Sequence, residues 1–369
     1  MRILHLAVEN FAGIPMRLVR EERRRGHESR LITLLTPMQK YEEDISLRLP
    51  ALNLSQMKKI RSFVRGTPAE KALNIRHLDS APRLWSPANA LDGLLFRLRD
   101  LWWLPRARRT LRELGGLDGF DLIIADGGHD FTRFPGLLLK RSAPLFTVYY
   151  GSDMRTRGII EPIQRKAARS FTFEYDHTLL LPEARFLFYP YEEPDYADKE
   201  TNKASYNPPR DGEKIRVGHA PTNRAAKGTD AILAALDALR EEFPLELVLI
   251  ENLPHNEALR LKATCHLFID QIGELGYGVN SIESLFMGIP TAVEILPDFR
   301  RFLEKRCGEE PPFYHISRAN LLEDFRAIFA DMPRWSDKGA HGERWTRAHH
   351  NVQAVVDDYL PKEGEKLHI

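Results

Sequence analysis

Short apolar runs recur along the chain with the length of buried strands, and most of them end in a polar or glycine-bearing turn. They fall at 3–8, 30–34, 121–125, 145–150, 171–175 and 186–189, and again at 215–219, 245–250, 266–269 and 292–295. Between them lie segments with apolar positions at helical spacing, at 16–25, 229–239, 282–289 and 321–329. Strands alternating with helices predict an α/β fold built on parallel sheets. The alternation loosens over 40–115 and breaks at 191–213, a polar, proline-containing stretch without periodicity. The expected organisation is an N-terminal domain over 1–190, a linker over 191–213, a C-terminal domain over 214–343 and a last helix, 344–360, within a tail over 344–369.

Candidate chemistry concentrates where strands run out. The run 266–269 ends in Asp270 and Gln271; a loop with Gly276, Tyr277 and Gly278 follows, then Val279 and a helix for which Asn280 and Ser281 are the expected caps. Strand, glycine loop and helix start, in that order, present free amides and the positive end of a helix dipole, which attract phosphate. Glu283 in the first turn would repel phosphate but suits paired sugar hydroxyls. Alternatively, Asn280 and Glu283 have the spacing of a capping box that binds nothing. The run 215–219 leads into Asn223, Arg224, Lys227 and Gly228, with Thr229 as the expected N-cap of the next helix. Two cations at a helix start, where the dipole disfavours them, call for an anion, unless they are ordinary surface charges. In the first domain the strand ends carry Gly13, His129, and Tyr150 with Asp153. Ligands in parallel α/β sheets bind beyond the carboxyl ends of strands, so the last two loops are expected to line one cleft; the alternative is plain turn chemistry.

These segments carry a resemblance. GYGVNSIESLFMGIPTAV, HAPTNRAAKGTD, TVYYGSDMR and the opening strand, glycine loop and helix that ends in Gly26-His27 are similar to the retaining glycosyltransferases of the two-Rossmann-domain (GT-B) type, in the large family-4-like group. The resemblance implies two Rossmann-like domains facing across a cleft, with Gly13 toward it. It implies that Arg224 and Lys227 neutralise the diphosphate of a nucleotide-sugar donor, that Gly278 offers it an amide, and that Glu283 holds the ribose. Asn223, Gly276, Tyr277, Val279 and Asn280 fall in the donor loops, and Asp153 and His129 near the reacting sugar. Two positions depart from the pattern. Leu275 stands where the family usually has a glutamate, with Glu274 one residue off, and Tyr150 replaces the usual histidine.

Composition narrows this picture. With 43% hydrophobic and 28% charged residues over 369 positions the chain reads as a globular protein, and a net charge of +1 gives no electrostatic case for nucleic acid. The N-terminus has no signal-peptide layout, so the expected location is cytoplasmic. The two cysteines, Cys265 and Cys307, lack ligand spacing, and the adjacent His349 and His350 do not suit one helix face; no metal and no cofactor is expected. Charge is uneven, however. Between Met57 and Arg112 there are thirteen basic and four acidic residues, interleaved with Phe63, Trp85, Trp102, Trp103 and several leucines. That mixture suits an anionic membrane surface; the alternative is a core-packed helical insertion with a solvated basic face.

The expectation is therefore a retaining, metal-independent glycosyltransferase of cell-envelope or polysaccharide synthesis. It would move a sugar from a nucleotide-diphosphate donor to a glycan, lipid-linked or small-molecule acceptor, as a cytoplasmic protein peripheral to the membrane. The rival is a nucleotide-sugar-binding protein of the same fold that no longer transfers. A ribose role for Glu283 carries its own expectation, that Glu283→Gln weakens donor binding and leaves thermal stability nearly unchanged.

Overall fold

The computed structural model describes all residues except 36–40, 49–81, 135, 137–142, 152, 193–205, 274–275, 363 and 366–369. The chain divides into two compact units, Met1–Phe188 together with Val355–Ile369, and Tyr189–Ala354.

In the first unit the described strands are β1 (Arg2–Ala7), β2 (Glu28–Thr33), β3 (Ile45–Ser46), β4 (Leu122–Asp126), β5 (Leu145–Tyr149), β6 (Arg169–Thr172) and β7 (Ala184–Phe186). They form one parallel sheet in the order β3-β2-β1-β4-β5-β6-β7. Every residue of β4 and β5 is buried, as unbroken apolar sequence demands of strands covered on both faces. Helix Ile14–Arg24 starts from Gly13, which is in the left-handed region, with Pro15 in its first turn and Arg23 and Arg24 in its last. Within the basic segment, where a core-packed helical insertion was the alternative, helix Ala90–Glu113 opens at Asn89, whose side chain accepts the Asp92 N–H at 2.8 Å. It lays Trp103, Ala107 and Leu111 onto the core with Leu4, Leu6 and Ile123. The 57–81 part of the basic segment lies outside the described residues.

The second unit holds β8 (Ile215–His219), β9 (Leu245–Leu249), β10 (Leu267–Ile269), β11 (Thr291–Val293) and β12 (Tyr314–His315), again parallel, in the order β12-β11-β10-β8-β9. Helices Thr229–Ala238, Val279–Phe286 and Leu321–Ala330 fall where apolar periodicity places them. Their starts do not. Gly228 in the left-handed region, and not Thr229, precedes the first; Thr229 instead places its hydroxyl 2.9 Å from His219 Nε2. Gly278 precedes the second, so Asn280 and Ser281 lie within its first turn and their side chains serve tertiary contacts. The final helix expected at 344–360 is two helices, Trp335–His349 and Val352–Tyr359, and the boundary between units falls inside the latter.

Two glycine contacts hold helix Trp335–His349 against helix Val279–Phe286. A side chain at Gly342 would press on Leu285, and a Cβ at Gly339 would collide with the carbonyl oxygen of Gly288. The obstacle at Gly339 is backbone and cannot swing aside. Gly339→Ala is therefore expected to destabilise the protein by upwards of about 2 kcal/mol, beyond the gain alanine brings a helix. The urea midpoint checks this.

Candidate functional site

In each sheet the chain reverses its direction of build-up once, between β1 and β4 in the first unit and between β8 and β10 in the second. Such switch points, at the carboxyl ends of the strands, are where open α/β sheets bind ligands. The sequence candidates gather at these two places.

In the second unit, Asn223 accepts the Ala226 N–H at 3.2 Å and starts the single turn Arg224–Lys227 after β8. This directs the Lys227 side chain inward, where its ammonium donates to Asp270 Oδ1 at 2.8 Å and Gln271 Oε1 at 2.5 Å at the end of β10. The other Asp270 oxygen accepts the Gly278 N–H at 3.1 Å and the Ser281 hydroxyl at 2.6 Å. Burial works against the Asp270 charge, but attraction to Lys227 and these hydrogen bonds hold the carboxyl below its usual range. Gly278 has an ordinary extended backbone, φ −119° and ψ −172°. A Cβ there would stand 3.7 Å from both Lys227 Nζ and Asp270 Oδ2, in open contact. Arg224 is exposed and pairs with Glu251 at 3.0 Å and Asp230 at 3.3 Å.

Glu283 is buried one turn further along the helix. His255 Nε2 lies 2.8 Å from one of its oxygens, and Lys262 Nζ donates to the other at 2.5 Å. Lys262 also donates to Asn280 Oδ1 at 2.9 Å, while Asn280 Nδ2 donates to the Ala220 carbonyl at 3.1 Å. Burial opposes the Glu283 charge, but attraction to Lys262 and the His255 contact bring its pKa down to about 2. The carboxylate thus closes an ion pair to another helix, and a capping box is excluded. Tyr277 is buried with its ring stacked on Phe299, centroids 5.5 Å apart, and beside Phe313 and Trp345. Its side chain anchors the glycine loop. Gly276 accepts a hydrogen bond from the Gln271 side-chain amide through its carbonyl, and Val279 opens the helix. Glu274 and Leu275 lie outside the described residues.

The first unit's switch point carries a buried polar chain. The Tyr150 hydroxyl donates to Asp126 at the end of β4; Asp126 Oδ2 lies 2.9 Å from His5 Nδ1 on β1; His5 Nε2 lies 3.2 Å from Glu22; and Glu22 accepts the hydroxyls of Ser29 and Tyr359. Burial disfavours a charged His5, but Glu22 and Asp126 outweigh it and lift its pKa to about 10, so the imidazolium persists at neutral pH. Asp153 folds its own loop, accepting the N–H groups of Tyr150 at 2.9 Å, Gly151 at 3.0 Å and Met154 at 2.8 Å. His129 is buried and neutral, its pKa driven well down by burial and then by Arg157, Arg133 and Arg99. Its Nδ1 accepts the Phe131 N–H at 3.1 Å, which leaves the proton on Nε2. Asp153, His129 and Arg157 converge around Gly127, where a Cβ would lie 3.5–3.6 Å from all three. Gly13 sits after β1 at φ +72°, facing the Tyr41 ring.

The sequence reading named these loops and Asp270 but did not single out Asp126, Lys262, His5 and Glu22, whose charges complete the two buried networks. Asp270 and Asp126 each stand at a strand's carboxyl end, a position that signals them. Lys262, His5 and Glu22 have no comparable local signal, because their partners are remote in sequence.

No protein-family model matches the chain, and no curated protein matches it in sequence. Solved structures do match in fold. Sucrose-phosphate synthase from Thermosynechococcus elongatus aligns over 97% of each chain at 12% identity with a TM-score of 0.57. Anabaena HepE, solved in complex with UDP, aligns over 97% of this chain and 98% of its own at 11% identity and 0.51. The spinosyn rhamnosyltransferase SpnG aligns over 97% and 99% at 16% identity and 0.50. The chain has the fold of these proteins, two Rossmann-like units of the GT-B type.

The pair to Lys262 changes what Glu283→Gln should do. A carboxylate with a folded pKa near 2 and an ordinary value of 4.5 contributes stability that is complete above about pH 4.5 and lost as pH falls towards 2. The variant is expected to lose about 3 kcal/mol at neutral pH, contrary to an unchanged melting temperature. Urea titrations against pH should show the gap to wild type closing in acid.

Proposed function

We propose that the protein is a glycosyltransferase that takes its sugar from a nucleotide-diphosphate donor bound by the second unit and transfers it with retention of anomeric configuration. The observation that carries the proposal is the coincidence at one switch point of a buried cation, a helix start and an uncrowded glycine. Neither backbone nor packing requires glycine at 278, since its dihedrals are ordinary and a Cβ would meet only normal contacts. Close approach of a ligand supplies the missing reason. The neighbours' activities support the same reading: a sucrose-phosphate synthase, a rhamnosyltransferase and a protein that binds UDP share the fold.

In this reading the diphosphate lies over Gly278, shares Lys227 with Asp270, and draws Arg224 from Glu251 and Asp230. As the bond from the sugar's anomeric carbon to the diphosphate breaks, its electrons pass to the phosphate oxygen. The acceptor hydroxyl forms the new bond on the same face, and its proton goes to the departing phosphate. Arg224 and Lys227 stabilise the growing charge. Glu283, fixed by Lys262 and His255, presents its carboxylate to the ribose hydroxyls. Asp153 and the neutral His129 are assigned to the first unit's part in the reaction, with a glycan, lipid-linked or small-molecule acceptor.

Incubation with a panel of nucleotide sugars and acceptors, following nucleoside diphosphate release, tests the proposal; donor binding without release or product would point to a non-catalytic binder. Gly278→Ala is expected to fold with stability within about 1 kcal/mol of wild type yet bind donor at least about tenfold more weakly. Unchanged donor affinity in that variant would remove the loop from the site. Arg224→Ala, at an exposed position, should keep its fold and lose about 2–4 kcal/mol of transition-state stabilisation, read as turnover at saturating donor. Arg224→Lys should restore only part of this if the guanidinium grips phosphate through two bonds.

A further inference from the structure

We propose that the outward face of helix Ala90–Glu113 is a docking surface for an anionic lipid bilayer. One face of this helix, through Asp92, Gly93, Phe96, Asp100, Trp103 and Ala107, is buried on the first unit. The opposite face is apolar as well. Leu91, Leu94, Leu95, Leu98, Leu101 and Trp102 are all exposed, Leu101 by 67% and Trp102 by 59%. At the helical repeat these six positions fall within about 120° of arc, opposite the buried ridge. Scattered exposed leucines are ordinary; a continuous stripe of them is not.

Charge selects the occupant. Arg106, Arg109 and Arg112 continue the same stripe toward the helix C-terminus, and Arg97 and Arg108 flank it, all five exposed. Of the helix's three acidic residues, two are turned into the protein and only Glu113 faces outward with them. Asp92 is buried and accepts the Ala88 N–H at 2.9 Å. Asp100 is buried, paired with Arg99 at 2.5 Å, and accepts the N–H groups of Arg133 and Phe134 at 2.8 and 3.0 Å. Glu113, at the end, is the remaining acid. A second copy packed on this face would bring arginines together as well as leucines. An anionic bilayer satisfies both halves: leucines and Trp102 enter the interface, while arginine stems lie along it with their heads among lipid phosphates. Among the described residues no helix is long and apolar enough to cross a membrane, so this one lies along the surface.

The test is co-sedimentation of the full-length protein with phosphatidylcholine vesicles, with and without phosphatidylglycerol. Wild type is expected to pellet with the anionic vesicles, less with the neutral ones, and less at high salt. The exposed double variant Leu98→Asp with Leu101→Asp should lower partitioning at least about tenfold. Replacing Arg106, Arg109 and Arg112 by serine should remove the preference for phosphatidylglycerol, at about fivefold per arginine. Circular dichroism verifies folding, and the serine variant decides the matter should the aspartate variant not fold. Wild type that ignores both vesicles, or variants that bind as wild type does, would overturn the proposal. So would a wild-type dimer in analytical ultracentrifugation that the aspartate variant dissolves, which would make a second copy the occupant.

Discussion

The buried carboxylate of Asp270 ties together the second unit's candidate loops. It takes the Lys227 ammonium with one oxygen and the Gly278 amide and Ser281 hydroxyl with the other, so the turn after β8 and the start of helix Val279–Phe286 meet on one anion. A buried ion pair of this kind adds little net stability, because desolvation offsets most of the attraction. Its value is positional: neither charge can leave without stranding the other, so the geometry of the cation against the helix start is fixed.

The first unit solves the same problem with different residues. Its switch point pairs a cation that lies on a central strand with a carboxylate on the neighbouring strand, His5 with Asp126, and continues the chain to Tyr150 on one side and Glu22 and Tyr359 on the other. Tyr150 therefore has a defined task. Its hydroxyl completes the satisfaction of a buried carboxylate, and its ring lies 5.9 Å from that of Phe11 in the loop after β1. Two sheets of different strand order thus each carry a charge pair where their connections diverge.

Most of the strands were legible in the sequence because parallel strands buried on both faces have to be apolar throughout, and β8 matches its run residue for residue. Short edge strands such as β3 and β12, two residues each, carry too little pattern to read. Helix starts were misread at Thr229 and Asn280 for a common reason. Both side chains are good caps locally, but each helix begins ahead of them, from Gly228 and Gly278, and the polar groups are drawn to His219, Ala220 and Lys262. Local capping rules cannot see such partners. Lys227 and Asp270 were each legible as residues at the ends of strands or loops, whereas their pairing was not, since they are 43 positions apart.

The contact of Gly339 with Gly288 has a mechanical consequence. Where two backbones touch with no side chain between them, sliding is possible only by a full ratchet step, so helix Val279–Phe286 is latched at its far end. With Tyr277 packed on Phe299 just ahead of it, the same helix is held at its near end as well, and it behaves as a fixed post.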